Sequence, residues 1–317
     1  MPVVSMQSIL ADAFAHRYGV AAFNVFNDLT LDAVLEAAAQ TNSPVIVQVS
    51  VKTVKQIGAG LLQLMFAELA NRRPIPATLH LDHCPDFAVA QACLEAGWNS
   101  VLFDASNLSY DENVRQTTEM VTLAHRYGAA VEGELEPVKG VEDDHGSDEE
   151  GAIVTLEQAV QFMRLTGIDS FAPAIGTAHG VYTSAPTINY ARVAEIVAAQ
   201  PLPIVLHGGT GLSDTQFQQL IALGCAKVNI STALKITYAD SYRTYLSAHP
   251  SEYNPLKLLD AVRADVVAMA KSYMQIFGSV GRAAGPTRGS SIAMVFSPIP
   301  SSTPTCLLLT RCGVNSM

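Results

Sequence analysis

Short apolar, β-prone runs alternate with amphipathic stretches along most of this chain. The β-like runs are AAFN at 21–24, PVIVQVS at 44–50, ATLHLDH at 77–83, SVLFD at 100–104, AAVEGEL at 129–135, DSFAPAIG at 169–176, PIVLHG at 203–208 and AKVNI at 226–230. Between them, apolar residues recur at spacings of three and four. Examples are Leu31, Val34, Leu35 and Ala38, and Val160, Met163 and Leu165 behind the capping signature Thr155 to Gln158. Runs that are apolar on both faces and separated by helices predict parallel strands with crossover connections. Eight such units in succession predict a (β/α)8 TIM barrel with extended C-terminal helices rather than an open sheet.

Barrels of this kind carry their chemistry at the carboxyl ends of the strands. Those ends are here Asn24, Ser50, Asp82 with His83, Asp104, Glu132 with Glu134, Gly176 leading to His179, His207 and Asn229. Taken singly, Asn24, Ser50 and Asp104 fit turn chemistry as well as function. His83, His179 and His207 close the segments LHLDHC, AIGTAHG and IVLHGGTG. Three neutral imidazoles at one mouth match the set that holds zinc while leaving a coordination position for substrate. His80 shares the inward face with Asp82 but lies a repeat deeper, where a hydrogen-bonded core residue is expected. His16, His125, His145 and His249 carry no partner signal.

The loops after the last two strands suit an anion. Gly208, Gly209, Thr210 and Gly211 let the backbone approach closely, while Asn229, Ser231 and Thr232 open the next helix with hydroxyls and N–H groups. Phosphate binds at this place in many barrels. The acidic segment PVKGVEDDHGSDEEG, 137–151, reads either as a solvated loop or as a mobile flap delivering a carboxylate base.

Composition narrows the field. The 317 residues are 49% hydrophobic, enough for a large core, and 19 basic against 29 acidic residues give a net charge of -10 with no Lys/Arg-rich run. Nucleic acid is thereby excluded as an expected partner. A phosphorylated substrate is not, because backbone dipoles and a metal can supply the local positive field. No apolar run reaches membrane-spanning length and the start MPVVSMQSIL lacks a signal-peptide pattern, so no membrane partner and a cytoplasmic location are expected. Cys84, Cys93 and Cys225 are expected as reduced core thiols. Residues 286–317 contain no acid, four prolines and many Ser/Thr, which predicts a disordered or non-native tail behind a 1–285 domain.

The strings LHLDH, VEGEL followed by VEDD, AIGTAHGVY, VLHGGTGL and AKVNIST resemble, in order and spacing, the class II, metal-dependent fructose- and tagatose-bisphosphate aldolases over about residues 3–285. The resemblance implies a Zn2+ on His83, His179 and His207, with Asp82 as acid/base and Glu142 as the flap carboxylate. It places Asn229 near a zinc-stabilised enediolate, with Asn24 and Ser50 also on the substrate. Phosphate contacts would come from Gly180, Gly208, Gly209, Thr210, Ser231 and Thr232. Glu134, and with it Asp104, is implied for a second or displaced metal, and a monovalent cation is a further candidate cofactor. Family members are dimers or tetramers, and tagatose-type relatives can associate with a companion subunit. VYTSAPTINY and NISTAL look closer to the tagatose branch, since fructose enzymes more often carry an acid where Ser231 stands. Fructose 1,6-bisphosphate ranks second, and the phosphorylated deoxy-keto-gluconate of inositol catabolism third. Glu136-Pro137 departs from the family, whose members usually have glycine there. Two rivals stand beside this reading: a Schiff-base aldolase using Lys227, and a non-catalytic barrel subunit.

Overall fold

In a computed structural model of the chain, the alternation of buried strands and amphipathic helices resolves into eight parallel strands closed as a barrel. In chain order the strands are β1 (Val20–Asn24), β2 (Val45–Ser50), β3 (Ala77–Cys84), β4 (Ser100–Phe103), β5 (Ala130–Glu134), β6 (Gly140–Glu142), β7 (His145–Ser147), β8 (Ser170–Ala172), β9 (Ile204–Leu206) and β10 (Cys225–Ile230). Around the barrel they run β1, β10, β9, β8, β5, β4, β3, β2, while β6 and β7 pair antiparallel with each other. Helices of 17 and 22 residues, Thr232–Ala248 and Pro255–Ile276, follow β10. The structure describes residues 2–137, 140–142, 145–147, 153–180, 182 and 186–283, with 141–142 and 145–147 described by their backbone alone. The expected tail at 286–317 lies outside the described residues.

Local signals explain the elements. Thr155 and Gln158 form a reciprocal cap at the start of the helix Leu156–Thr166. Its buried face is Ala159, Phe162, Met163 and Thr166, so the stripe expected through Leu165 is rotated: Leu165 is 53% exposed. The run DSFAPAIG yields only the three residues of β8, because Pro173 has no N–H to continue the ladder. The acidic segment after β5, expected as a loop, contains the β6–β7 hairpin.

Two apolar regions frame the site. The outer faces of the strands pack on the helices, through residues such as Phe23, Val47, Leu81, Phe103 and Phe171. A smaller cluster of Val20, Ala22, Ile46, Ala130 and Ala226 is covered by Met6, Ile9, Leu10 and Ala13 of the helix Met6–His16. Farther along the strands, fully buried polar groups take over: Gln48, Thr78, His80, Ser100, Glu132, Ser170 and Lys227. Such groups cost free energy in a dry interior unless they are paired. The pairs made by Gln48, His80, Ser100, Glu132 and Lys227 lead to the mouth of the barrel. Among the described residues no helix is long and apolar enough to cross a membrane.

Candidate active site

Strand register brings the first group of side chains together. Ser50 of β2 lies opposite Asp82 of β3, and Asn24 of β1 opposite Gln48 of β2. Asn24 Nδ2 donates to Asp82 Oδ2 at 2.6 Å, and Gln48 Nε2 donates to Asn24 Oδ1. One oxygen of Asp82 is thus fixed, while Oδ1 is buried without a hydrogen-bond partner among the described residues. A carboxylate held this way is oriented to accept a proton from a group entering the barrel. A pocket of about 260 Å3 opens beside it, lined by Asn24, Val25, Phe26, Ser50, Thr53 and Lys235.

The three histidines converge, His83 at the end of β3, His207 just past β9 and His179 in the loop seven residues beyond the end of β8. Their ring centroids are 4.7 Å (His83–His207), 5.0 Å (His83–His179) and 5.7 Å (His179–His207) apart. One nitrogen from each lies within 4.8 Å of the others. His83 adopts a left-handed φ of +39° inside β3, whereas the other two such non-glycine residues among those described, Arg17 and Asn42, are helix C-caps. A non-glycine residue in this region costs about 1–3 kcal/mol, which a functional constraint accounts for.

Buried carboxylates set which nitrogen each ring presents. Asp104 Oδ2 sits 2.9 Å from His83 Nδ1, and its Oδ1 accepts from Ser106 N and Oγ. Burial alone would raise the Asp104 pKa, but the bonds from His83 and Ser106 hold it well below the usual carboxylate range. Glu132 Oε1 takes His207 Nε2 at 2.8 Å, and His207 Nδ1 is buried with no hydrogen-bond partner among the described residues. His83 and His207 would therefore join a shared ion through Nε2 and Nδ1 respectively. Glu134 Oε2 lies 3.9 Å from His83 Nδ1 and 3.6 Å from His207 Nδ1. His83, Asp104 and Glu134 form a second group with metal-ligand spacing.

The electrostatics fit a cation. Burial, then the neighbouring His83 and Lys227, hold His207 well below its ordinary pKa, in the neutral state a metal requires. Burial acts on His83 in the same sense, but Asp82, Asp104 and Glu134 outweigh it and raise its pKa. A divalent ion would supply the positive charge that these carboxylates favour, in place of a proton on His83. Three imidazoles, an orphaned Nδ1 and a surplus of buried carboxylate are a donor set suited to zinc.

The loops expected from the sequence to suit an anion follow β9 and β10. Gly208 has φ +68°, and a Cβ there would fall 2.4 Å from the Ala178 carbonyl oxygen. Only glycine lets the loop after β9 lie against the backbone that carries His179. Tyr182 ties the same two segments together, donating to Gly208 O at 2.6 Å and accepting from Ala178 N at 3.1 Å. Gly209 lies against Phe217 and the Asn229 carbonyl. Thr210 Oγ1 accepts from Ala233 N in the first turn of the helix Thr232–Ala248, which Ser231 precedes without a side-chain cap. Ser231 Oγ and Asn229 Oδ1 are buried and, among the described residues, without hydrogen-bond partners. Gly180 has φ +85°, and the N-terminus of the helix Thr232–Ala248 is the kind of backbone position that suits an anion.

Some sequence expectations fall elsewhere. The backbone of Glu142 is in β6, but its side chain, like that of His145, lies outside the described residues. Lys227 is fully buried and donates to Glu132 Oε2 at 2.7 Å, so it is committed to an ion pair rather than presented to a carbonyl. His80 is the expected core residue, with Nδ1 2.9 Å from Ser100 Oγ. Glu136 does more than interrupt a glycine position. It accepts from Val154 N and Ala174 N and pairs with Arg192, joining the chain on either side of 137–153. The roles of Tyr182 and Arg192 were not read from the sequence. Tyr182 follows His179 closely enough to have been suspected, but Arg192 lies in an ordinary helical pattern.

The chain was compared with known proteins. The family described as fructose-bisphosphate aldolase class-II matches residues 4–282. A sulfofructosephosphate aldolase of Alkalicoccus urumqiensis is 34% identical over 284 residues, covering 89% of this chain and 99% of that protein. The D-tagatose-1,6-bisphosphate aldolase subunit GatY of Klebsiella oxytoca is 36% identical over 283 residues, covering 89% and 100%. The crystal structure of the YdjI aldolase from Escherichia coli K12 superposes with a TM-score of 0.78 at 32% identity, covering 89% of this chain and 100% of that one.

Proposed function

Since the chain belongs to the class-II fructose-bisphosphate aldolase family, we propose that it reversibly cleaves a ketose 1,6-bisphosphate to dihydroxyacetone phosphate and glyceraldehyde 3-phosphate, with tagatose 1,6-bisphosphate as the preferred substrate. The observation that carries this reading is the convergence of His83, His179 and His207 beside the singly tethered carboxylate of Asp82. The three histidines would hold Zn2+, which when bound supplies a Lewis acid for the ketone. Ser231, Thr232, Gly180 and the 208–210 loop would hold the phosphate next to that ketone, and Asn229 Oδ1 would orient the adjoining hydroxyl. Asp82 Oδ1 would take the proton of the C4 hydroxyl as the C3–C4 bond breaks. The barrel holds Asn24, Asp82, His207, Asn229 and Ser231 buried at its mouth. Glu142 would return a proton to C3 of the three-carbon fragment and remove it in the condensing direction.

Tagatose is favoured by Ser231 in place of an acid and by the similarity to GatY. The comparable identity to a sulfofructosephosphate aldolase supports a second reading, in which the terminal anion is a sulfonate. Three buried free thiols, Cys84, Cys93 and Cys225, suit a reducing, cytoplasmic setting. The test is kcat/KM of the purified chain on tagatose and fructose 1,6-bisphosphates and on sulfofructose 1-phosphate side by side. A clear preference for tagatose bisphosphate is expected. Preference for either competitor would reassign the substrate, and no cleavage of any of them by zinc-loaded protein would overturn the catalytic reading.

A further inference from the structure

Behind the histidine cluster, the barrel interior contains a buried chain of polar groups that the proposed reaction does not use. It runs from Ser100 Oγ to His80 Nδ1 at 2.9 Å, from His80 Nε2 to Lys227 Nζ at 3.4 Å, from Lys227 Nζ to Glu132 Oε2 at 2.7 Å, and from Glu132 Oε1 to His207 Nε2 at 2.8 Å. All five residues are no more than 2% exposed, so the lysine and the glutamate are an ion pair without solvent access. A pair of this kind is weak evidence for stability, because desolvating both charges offsets most of their attraction. Its place in the structure therefore calls for another explanation.

We propose that Glu132 and Lys227 are positioning residues for the metal centre, fixing His207 in the tautomer that points Nδ1 at the ion and strengthening that nitrogen as a donor. The geometry allows one assignment. Glu132 can only accept when ionised, so His207 carries its proton on Nε2, and Nδ1 becomes the lone-pair nitrogen within the cluster. A carboxylate on the far nitrogen of a metal-bound imidazole raises its basicity and fixes the ring plane. Lys227 has the complementary task. It holds the other Glu132 oxygen, which prevents the carboxylate from swinging toward the ion. His80 faces Lys227 from β3, and burial followed by the lysine charge keeps it neutral, so it can accept from Lys227 and donate to Ser100. The charged and titratable groups around His207 are Glu132 behind it, Glu134 at 3.6 Å from its Nδ1, and Lys227, Asp82, His83 and His179 nearby. Only Glu132 bonds to the nitrogen that sets the tautomer.

This inference rests on the three-histidine metal reading, and its test separates the two. Zinc affinity is measured on folded protein by competition with a chromophoric chelator, and the visible spectrum of the Co2+-substituted protein is recorded alongside. Single changes such as Lys227→Met strand a buried charge and can unfold the chain, so the deciding variant is the charge-free pair Glu132→Gln with Lys227→Met. It should fold, bind zinc about 10–100-fold more weakly than the parent, and show an altered Co2+ d–d band. Parental zinc affinity and an unchanged Co2+ spectrum in that folded variant would overturn the proposal and leave the pair as a packing device. If the parent chain itself takes up no stoichiometric zinc, the metal reading fails, and the positioning role falls with it.

Discussion

Replacing Gly208 with alanine tests whether the loop after β9 holds His179 in place by close backbone approach. The added Cβ would lie 2.4, 2.6 and 2.8 Å from the O, C and N atoms of Ala178. Ordinary contact begins near 3.4 Å, so the Ala178 backbone must retreat by about 1 Å, the difference between 3.4 and 2.4 Å. Ala178 is bonded to His179, and metal–ligand distances tolerate only about 0.2 Å. A left-handed alanine adds about 1–2 kcal/mol of backbone strain. Gly180→Ala provides the control for zinc affinity, because Gly180 also has positive φ but, among the described residues, nothing lies within 4 Å of its Cβ position. Both variants should lose about 1–2 kcal/mol of stability in chemical denaturation. Gly208→Ala should in addition bind zinc at least about 10-fold more weakly and lose roughly 10²-fold in kcat/KM, as expected of a misplacement on this scale. Equal zinc affinities for the two variants would refute the close-approach argument.

Other outcomes follow from the same geometry. Asp82→Ala should keep its zinc, measured by metal analysis, yet lose about 10²-fold or more in turnover; loss of zinc instead would make Asp82 a ligand support. Asn24→Ala frees the Asp82 carboxylate from its 2.6 Å donor and should lower kcat about 10-fold or more with zinc content unchanged, since a hydrogen bond to a charged group is worth about 1.5–3 kcal/mol. In Glu142→Ala, exchange of the C3 proton of dihydroxyacetone phosphate with solvent should fall by about 10²-fold. Wild-type exchange there would move the base to another carboxylate. Tyr182→Phe removes the link between Ala178 and Gly208 and should cost about 1–2 kcal/mol of stability, read from the unfolding midpoint.

Much of this site was legible in the sequence because barrel strands end at a common mouth. Period-two alternation on β3 separates His80 from Asp82 by one repeat, and the structure places the first in a buried polar chain and the second at the mouth. The three histidines were visible for a related reason: His83 and His207 stand at strand ends, His179 lies in the loop that follows β8, and the barrel closes all the strands onto one rim. What stayed hidden depends on contacts between distant segments. The link from Glu132 through Lys227 to His80 crosses the barrel between β5, β10 and β3, and no spacing in the chain announces it. Parity showed Lys227 facing inward beside Asn229, but not that an acid from β5 would bind its amine. Glu136 read as a departure from a glycine position, whereas its use depends on Arg192, Val154 and Ala174 arriving from three other segments. Leu165 was misplaced because an apolar side chain at nearly the right spacing is indistinguishable by pattern from one on the buried face.

Metal removal and restoration tests the central claim most directly. The purified chain is stripped with a chelator, assayed for cleavage of tagatose 1,6-bisphosphate, then titrated with Zn2+ and assayed again. The account predicts no cleavage in the stripped protein, and recovery that saturates at one zinc per chain and is absent in His207→Ala. Full activity in metal-free protein, or a substrate adduct trapped on Lys227 by borohydride, would contradict it.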